Sequence, residues 1–129
     1  MKTIAKTAAI LLSVGALSGL PGCLLVAGTA AGVGAAAYVG GDLEGRLEAS
    51  PQRVVQASET ALEEMDIKVI SADATGIDGK VIGRTALDKR IEITADRDGD
   101  TSSKISIRVD TFGDESLSRQ IFEKIKTKL

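Results

Sequence analysis

Residues 42–51 read DLEGRLEASP and contain the two signals that decide the fold. In residues 42–49, apolar or small residues alternate with charged ones, which is the period of a strand with one buried face. Ser50 and Pro51 follow at once and are typical of a helix start, since serine caps a helix and proline fits its first turn. The sequence therefore predicts a strand that runs directly into a helix.

Four further strand-like runs and a second helix follow. The runs are residues 67–70, 81–84, 91–93 and 105–109, and Asp114 is placed to cap the last helix. Phe112 is expected in the core. Strands with a single apolar face favour a largely antiparallel sheet that is packed on one side only. Residues 42–129 are thus predicted to form an α+β domain, a two-layer sandwich of order β-α-β-β-β-β-α with both helices on one face.

The first 22 residues have the pattern of a bacterial lipoprotein signal peptide. Lys2 and Lys6 precede an apolar run at residues 7–19, which is shorter than a membrane span. The sequence Leu20-Pro21-Gly22-Cys23 then resembles a lipobox, which ends in the cysteine that receives diacylglycerol and further acyl chains. Cys23 is therefore the predicted lipidation site. The alternative is that Cys23 is an ordinary apolar residue within a longer membrane anchor.

Residues 24–41 carry no charge and are rich in alanine and glycine. If this stretch is helical, Gly28, Gly32, Ala36 and Gly40 form a stripe of small residues on which two membrane helices pack closely. The alternative is a low-complexity tether, because each glycine costs about 1 kcal/mol in a helix relative to alanine. Residues 23–41 are accordingly predicted to be a lipidated tether or a membrane-associated segment.

Composition argues against two classes of function. The chain carries 16 basic and 18 acidic residues, and removal of Lys2 and Lys6 with the signal leaves 14 against 18, a net charge of −4. An acidic chain with few aromatic residues has no basic patch for nucleic acid. Histidine is absent from the sequence, which removes the commonest general base and metal ligand. We expect neither enzymatic activity nor a cofactor beyond the acyl groups on Cys23.

The run Thr-Phe-Gly-Asp-Glu at residues 111–115, followed by Ile121 and Ile125, carries a resemblance to a known family. It resembles the C-terminal signature of a family of small bacterial lipoproteins that is labelled only as a domain of unknown function. The resemblance implies localisation and architecture, and it implies no activity. By similarity to the sorting pattern of Gram-negative lipoproteins, the absence of Asp at residue 24 implies the outer membrane, facing the periplasm.

No metal site is expected. Asp96, Asp98 and Asp100 flank Gly99, but a loop of the EF-hand type that begins at Asp96 would have Thr101 and Ile107 at its sixth and twelfth positions, where glycine and glutamate are required. A hairpin turn with solvated acids explains these residues.

Two surfaces are candidates for binding a partner. The first is Asp114, Glu115 and Arg119 at the start of the last helix, although capping alone also explains these residue types. The second is the charged face of the sheet, which comprises Arg46, Lys68, Arg90, Glu92, Lys104 and Arg108. The leading hypothesis is a non-enzymatic, membrane-anchored envelope lipoprotein that binds a protein or assists assembly. The alternative is a carrier that holds a lipid or small apolar ligand between sheet and helices.

Overall fold

The computed structural model describes residues 33–129. The elements in chain order are β1 (Val33–Val39), β2 (Asp42–Leu47), α1 (Pro51–Glu64), β3 (Lys68–Ala74), β4 (Asp78–Arg84), β5 (Arg90–Arg97), β6 (Ser103–Val109) and α2 (Glu115–Thr127). Within this range the strands form one antiparallel sheet in the order β1-β2-β6-β5-β4-β3, accompanied by the two helices. The predicted α+β class and antiparallel sheet are confirmed.

The predicted element order is wrong at its start, because it lacked β1. This strand lies inside the range predicted as a tether and pairs with β2 over the registered pairs Val33↔Leu47 to Val39↔Asp42. Its outward-facing residues are alanine and valine rather than charged residues, so no polar alternation announces it. The sheet therefore begins at Val33 rather than at Asp42.

The strand β1 also bears on the predicted stripe of small residues. Ala36 lies within this strand, and Gly40 lies in the β1–β2 turn with φ +61°. A helical spacing therefore does not apply at these two positions. Gly28, Gly32 and the predicted lipidation site Cys23 lie outside the described residues.

Both helices begin where the sequence predicts. The Ser50 side chain accepts a hydrogen bond from the Arg53 backbone N at 3.3 Å, with Pro51 in the first helical position. The Asp114 side chain accepts one from the Leu117 backbone N at 3.1 Å. Each cap satisfies a backbone N–H that has no partner inside its helix.

The core fills the space between the helices and one face of the sheet. Glycines in two strands mark close approaches of the helices, since a Cβ on Gly45 would lie 3.0 Å from the Phe122 ring and one on Gly79 would lie 2.5 Å from Val55 Cγ2. The largest fully buried side chains come from both helices and from four strands, namely Leu43, Leu47, Val54, Leu62, Val81, Ile91, Ile93, Ile105, Ile107, Val109, Ile121 and Ile125. The other face of the sheet is left without a covering element among residues 33–129.

Candidate functional site

The uncovered side of the sheet is the broadest candidate surface, and we call it the open face. It is formed by the residues that alternate with the buried ones in the central strands, and its polar and charged members include Asp42, Glu44, Arg46, Lys80, Arg90, Glu92, Thr94, Lys104, Ser106 and Arg108. The charged residues predicted on this face are thus brought together by the sheet. Lys68 extends the same face at the edge, where it is paired in register with Arg84.

Charges on the open face are matched across neighbouring strands. Lys104 Nζ lies 3.5 Å from Glu44 Oε1, and Lys80 Nζ lies 3.1 Å from Glu92 Oε2. Arg90 Nη2 approaches the same Glu92 oxygen at 3.7 Å. Opposite charges on adjacent strands stabilise a sheet modestly, and half-exposed pairs of this kind contribute about 1 kcal/mol or less.

Arg108 has a structural role at one end of this face. Its guanidinium donates to Asp42 Oδ1 at 2.7 Å and to the Thr111 carbonyl at 3.1 Å. It also contacts the Gly40 carbonyl at 3.4 Å. Arg108 therefore ties the β1–β2 turn to the loop that follows β6, and both of its terminal nitrogens donate within the fold.

A shallow cleft of about 410 Å³ lies beside Arg108. It is lined by Arg90, Glu92, Arg108, Asp110 and Thr111, so both signs of charge face it. Glu92 and both arginines already pair with other side chains of the sheet. The lining is consequently suited to water and polar contacts rather than to an apolar ligand.

Asp114, Glu115 and Arg119, the other residues predicted to bind a partner, all have contacts within the fold. Asp114 caps α2, and its carboxylate also lies 3.4 Å from Lys89 Nζ. The hydrogen bond from the Leu117 backbone, with Lys89 as a further contribution, lowers the pKa of Asp114 below its ordinary value. Glu115 pairs with Arg119 at 2.9 Å along the helix. Helix capping and these ion pairs are sufficient to explain why Asp114, Glu115 and Arg119 occur at these positions.

A second carboxyl group with a lowered pKa, that of Glu64, lies between the two helices. Glu64, at the end of α1, contacts Lys128 Nζ at 2.6 Å and Lys124 Nζ at 3.3 Å. Hydrogen bonds from these lysines, Lys128 before Lys124, lower the pKa of the Glu64 carboxyl group. These two ion pairs join the C-terminal ends of both helices, so Glu64 has a structural role.

The three acids near the β5–β6 turn do not converge. Asp96 lies in β5, whereas Asp98 Oδ2 is 3.5 Å from Arg46 Nε. Gly99 has φ +145° in the turn between the strands. Within residues 33–129, no group of three acidic or cysteine side chains is arranged to hold a metal ion.

One end of the sheet presents three large apolar side chains to solvent, and we call Val39, Leu87 and Phe112 the apolar end. Their exposed fractions are 60%, 81% and 91% respectively. The prediction that Phe112 belongs to the core is wrong. Asp110 at φ 63° and Gly113 at φ 87° flank a turn after β6, and Phe112 within this turn is exposed to solvent.

No helix in the described part is long and apolar enough to cross a membrane.

Two comparisons with known sequences show what the chain is related to. No curated protein matches the sequence. A family model described as a protein of unknown function (DUF3568) matches residues 6–128, which is nearly the whole chain. The chain therefore belongs to the DUF3568 family, whose function is unknown.

Proposed function

We propose that this protein is a lipid-anchored envelope protein whose small α+β domain binds another protein without catalysing a reaction. The observation that carries the proposal is the sequence Leu20-Pro21-Gly22-Cys23, which contains the only cysteine of the chain. It follows a basic start and a short apolar run, as in lipoprotein signals. Diacylglycerol and acyl chains on Cys23 would hold the protein firmly, since each buried methylene contributes ~0.8 kcal/mol.

The site of the anchor on the chain suits this role. Residues 24–32 separate Cys23 from the first strand, so nine residues would link the folded domain to a lipid anchor. Leu24, rather than aspartate, follows the cysteine, which favours the outer membrane and a domain that faces the periplasm.

The chemistry of the domain favours binding over catalysis. A general acid at neutral pH needs a carboxyl group whose pKa is raised, commonly by burial. Glu64 and Asp114 have lowered pKa values because lysines and a backbone N–H stabilise their anions, so neither group is suited to act as a general acid. Both are thus stable anions at neutral pH.

The open face is the surface that we assign to the partner. It is broad, it is uncovered among the described residues, and its charges are ordered in cross-strand pairs such as Lys104–Glu44. Complementary charges on a partner would set the register of docking and suppress wrong partners. A carrier function has less support, because buried side chains of sheet and helices fill the layer between them.

Site-specific photocrosslinking in intact envelopes tests the binding surface. A crosslinker at Thr94, in the middle of the open face, is expected to give one discrete adduct, whereas one at the exposed Gln56 on α1 should give none. Equal adducts from both positions, or none from Thr94, would contradict the assignment.

The anchor has a separate test. Growth with an alkyne-tagged fatty acid should label the wild-type chain and leave Cys23→Ser unlabelled. Labelling that persists in Cys23→Ser would place the lipid elsewhere and overturn this part of the proposal.

A further inference from the structure

The three residues of the apolar end come from separate segments of the chain. Val39 ends β1, Leu87 lies in the β4–β5 loop, and Phe112 lies in the β6–α2 loop. In the antiparallel sheet, β1, β4 and β6 all terminate at the same end of the sheet. Since neighbouring strands are about 4.8 Å apart, Val39 and Phe112 are separated laterally by roughly 10 Å.

The two loops that carry Leu87 and Phe112 are held by hydrogen bonds. In the β4–β5 loop, the backbone N of Asp88 donates to the Thr85 carbonyl at 2.9 Å, and the N of Lys89 donates to Thr85 Oγ1 at 3.0 Å. In the β6–α2 loop, the N of Asp110 donates to the Arg90 carbonyl at 2.7 Å. Apolar side chains on fixed loops lose little backbone freedom when they bind.

We propose that the apolar end is a membrane contact, in which Phe112, Leu87 and Val39 enter the interfacial region of a lipid bilayer. The inference rests on the proposed lipid anchor, which keeps the domain at a bilayer surface. Aromatic and aliphatic side chains on an otherwise polar surface partition into this region. The contact would restrict how the anchored domain is oriented.

The shape of this end favours a bilayer over a protein. Leu87 and Phe112 stand on separate loops, and Val39 stands at the end of β1. The cleft that includes Thr111, the neighbour of Phe112 in the chain, is also lined by Arg90, Glu92, Arg108 and Asp110. A protein partner with an apolar anchor residue would meet this polar lining. A fluid bilayer adapts to separate protruding side chains and leaves the polar cleft at the headgroup level.

Charge around the apolar end is mixed, so the contact does not depend on anionic lipid. Asp88 and Lys89 lie in the β4–β5 loop, Arg90 begins β5, and Asp110 lies in the β6–α2 loop. Attraction to a charged surface would be strongly screened by salt, whereas burial of Phe112 and Leu87 is not. We therefore expect the contact to persist in zwitterionic vesicles and at high salt.

The length of the chain before the sheet permits this orientation. Val33 lies at the opposite end of β1 from Val39, and the seven residues of that strand span roughly 23 Å. The nine residues 24–32 reach about 30 Å when extended. An anchor at Cys23 therefore lets the apolar end reach the bilayer that holds it.

Tryptophan reporters test the contact directly, because the chain contains no tryptophan. Full-length protein would be extracted from membranes as Phe112→Trp or as the matched control Ile77→Trp. Ile77 is also exposed, at 69%, but lies in the β3–β4 turn at the opposite end of the sheet. Each protein is reconstituted into vesicles of phosphatidylcholine with or without brominated acyl chains.

Emission from residue 112 is expected to shift to the blue and to be quenched by brominated lipid several-fold more than emission from residue 77. A Leu87→Trp reporter should behave like residue 112 and lose part of its quenching when Phe112→Ser is added. Solvent-like emission at residue 112, or stronger quenching at residue 77, would overturn the inference. A blue shift that appears without lipid and grows with protein concentration would instead indicate a second copy, and would also overturn it.

The outcome separates this inference from the lipid anchor. Flotation of the same samples with vesicles, and its loss in Cys23→Ser, reports the anchor alone. Protein that floats while residue 112 stays solvent-like would retain the anchor and refute the contact.

Discussion

Tyr38 of β1 lies directly against Gly113, which precedes the cap of α2. A Cβ built on Gly113 would collide with the Tyr38 hydroxyl and would lie only 2.6 Å from the Gly41 carbonyl oxygen. Gly113 also has φ 87°, which side-chain-bearing residues rarely adopt. The run at residues 111–115 and the glycine-rich segment before Asp42 are therefore in contact, and the first hairpin is packed onto the start of the last helix.

Gly113→Ala is predicted to destabilise the domain by about 3 kcal/mol, because it combines backbone strain with a clash against Tyr38 and Gly41. Urea unfolding measures the change. The control is Gly76→Ala, where an added Cβ meets nothing within 4 Å and the expected change is within about 0.5 kcal/mol. Equal stability of the two variants would refute the packing of Gly113.

Ser118→Ala is predicted to stabilise the protein by about 1 kcal/mol. The Ser118 hydroxyl is fully buried in α2 and has no hydrogen-bond partner in the described structure, so its removal relieves a desolvation penalty. Thermal unfolding of Ser58→Ala provides the comparison, since the Ser58 hydroxyl is equally buried but donates to the Val54 carbonyl at 2.7 Å. A gain in Ser58→Ala that matches or exceeds the gain in Ser118→Ala would contradict the prediction.

Asp114→Ala is predicted to cost about 1 kcal/mol at neutral pH, through loss of the cap. The folded-state pKa of Asp114 is lowered, so its contribution is present above the unfolded-state pKa and is lost as pH falls through the folded-state value. The difference between wild type and Asp114→Ala should accordingly shrink below about pH 4. Asp114→Asn keeps a capping side chain and should lose less at neutral pH. A difference that stays constant down to pH 2 would show that ionisation of Asp114 contributes nothing.

Phe112→Ala and Phe122→Ala are predicted to behave very differently, although each removes a phenylalanine. Phe112 is 91% exposed, so its loss should change stability by less than about 0.5 kcal/mol. Phe122 is buried against Gly45, so Phe122→Ala should lower the free energy of unfolding by about 3–5 kcal/mol. Denaturant unfolding of both variants in parallel measures this, and a large loss in Phe112→Ala would return that residue to the core.

Much of the fold follows from local signals in the sequence. Alternation predicts β2 and β6, and Ser50 and Asp114 predict where the two helices begin. The strand β1 escapes these signals because Ala35 and Ala37 replace the polar residues of an alternating strand. Its position depends on backbone pairing with β2 and on the packing of Tyr38, both of which are tertiary effects.

The candidate surfaces were only partly predictable, for a related reason. Alternation places Lys104 and Glu92 on one face of the sheet, but only the strand order β2-β6-β5-β4 shows that Lys104 meets Glu44 and that Glu92 meets Lys80. Phenylalanine is a residue type typical of a core, so the sequence predicts Phe112 there. The turn that leaves Phe112 exposed depends on positive φ angles at Asp110 and Gly113, and these residue types alone do not predict such angles.

Intact mass spectrometry of the membrane-extracted protein tests whether Cys23 anchors this domain to the membrane. We expect the mass of residues 23–129 plus diacylglycerol and acyl groups, and the loss of those groups in Cys23→Ala. An unmodified chain that retains Met1 would show that Cys23 is not the anchor.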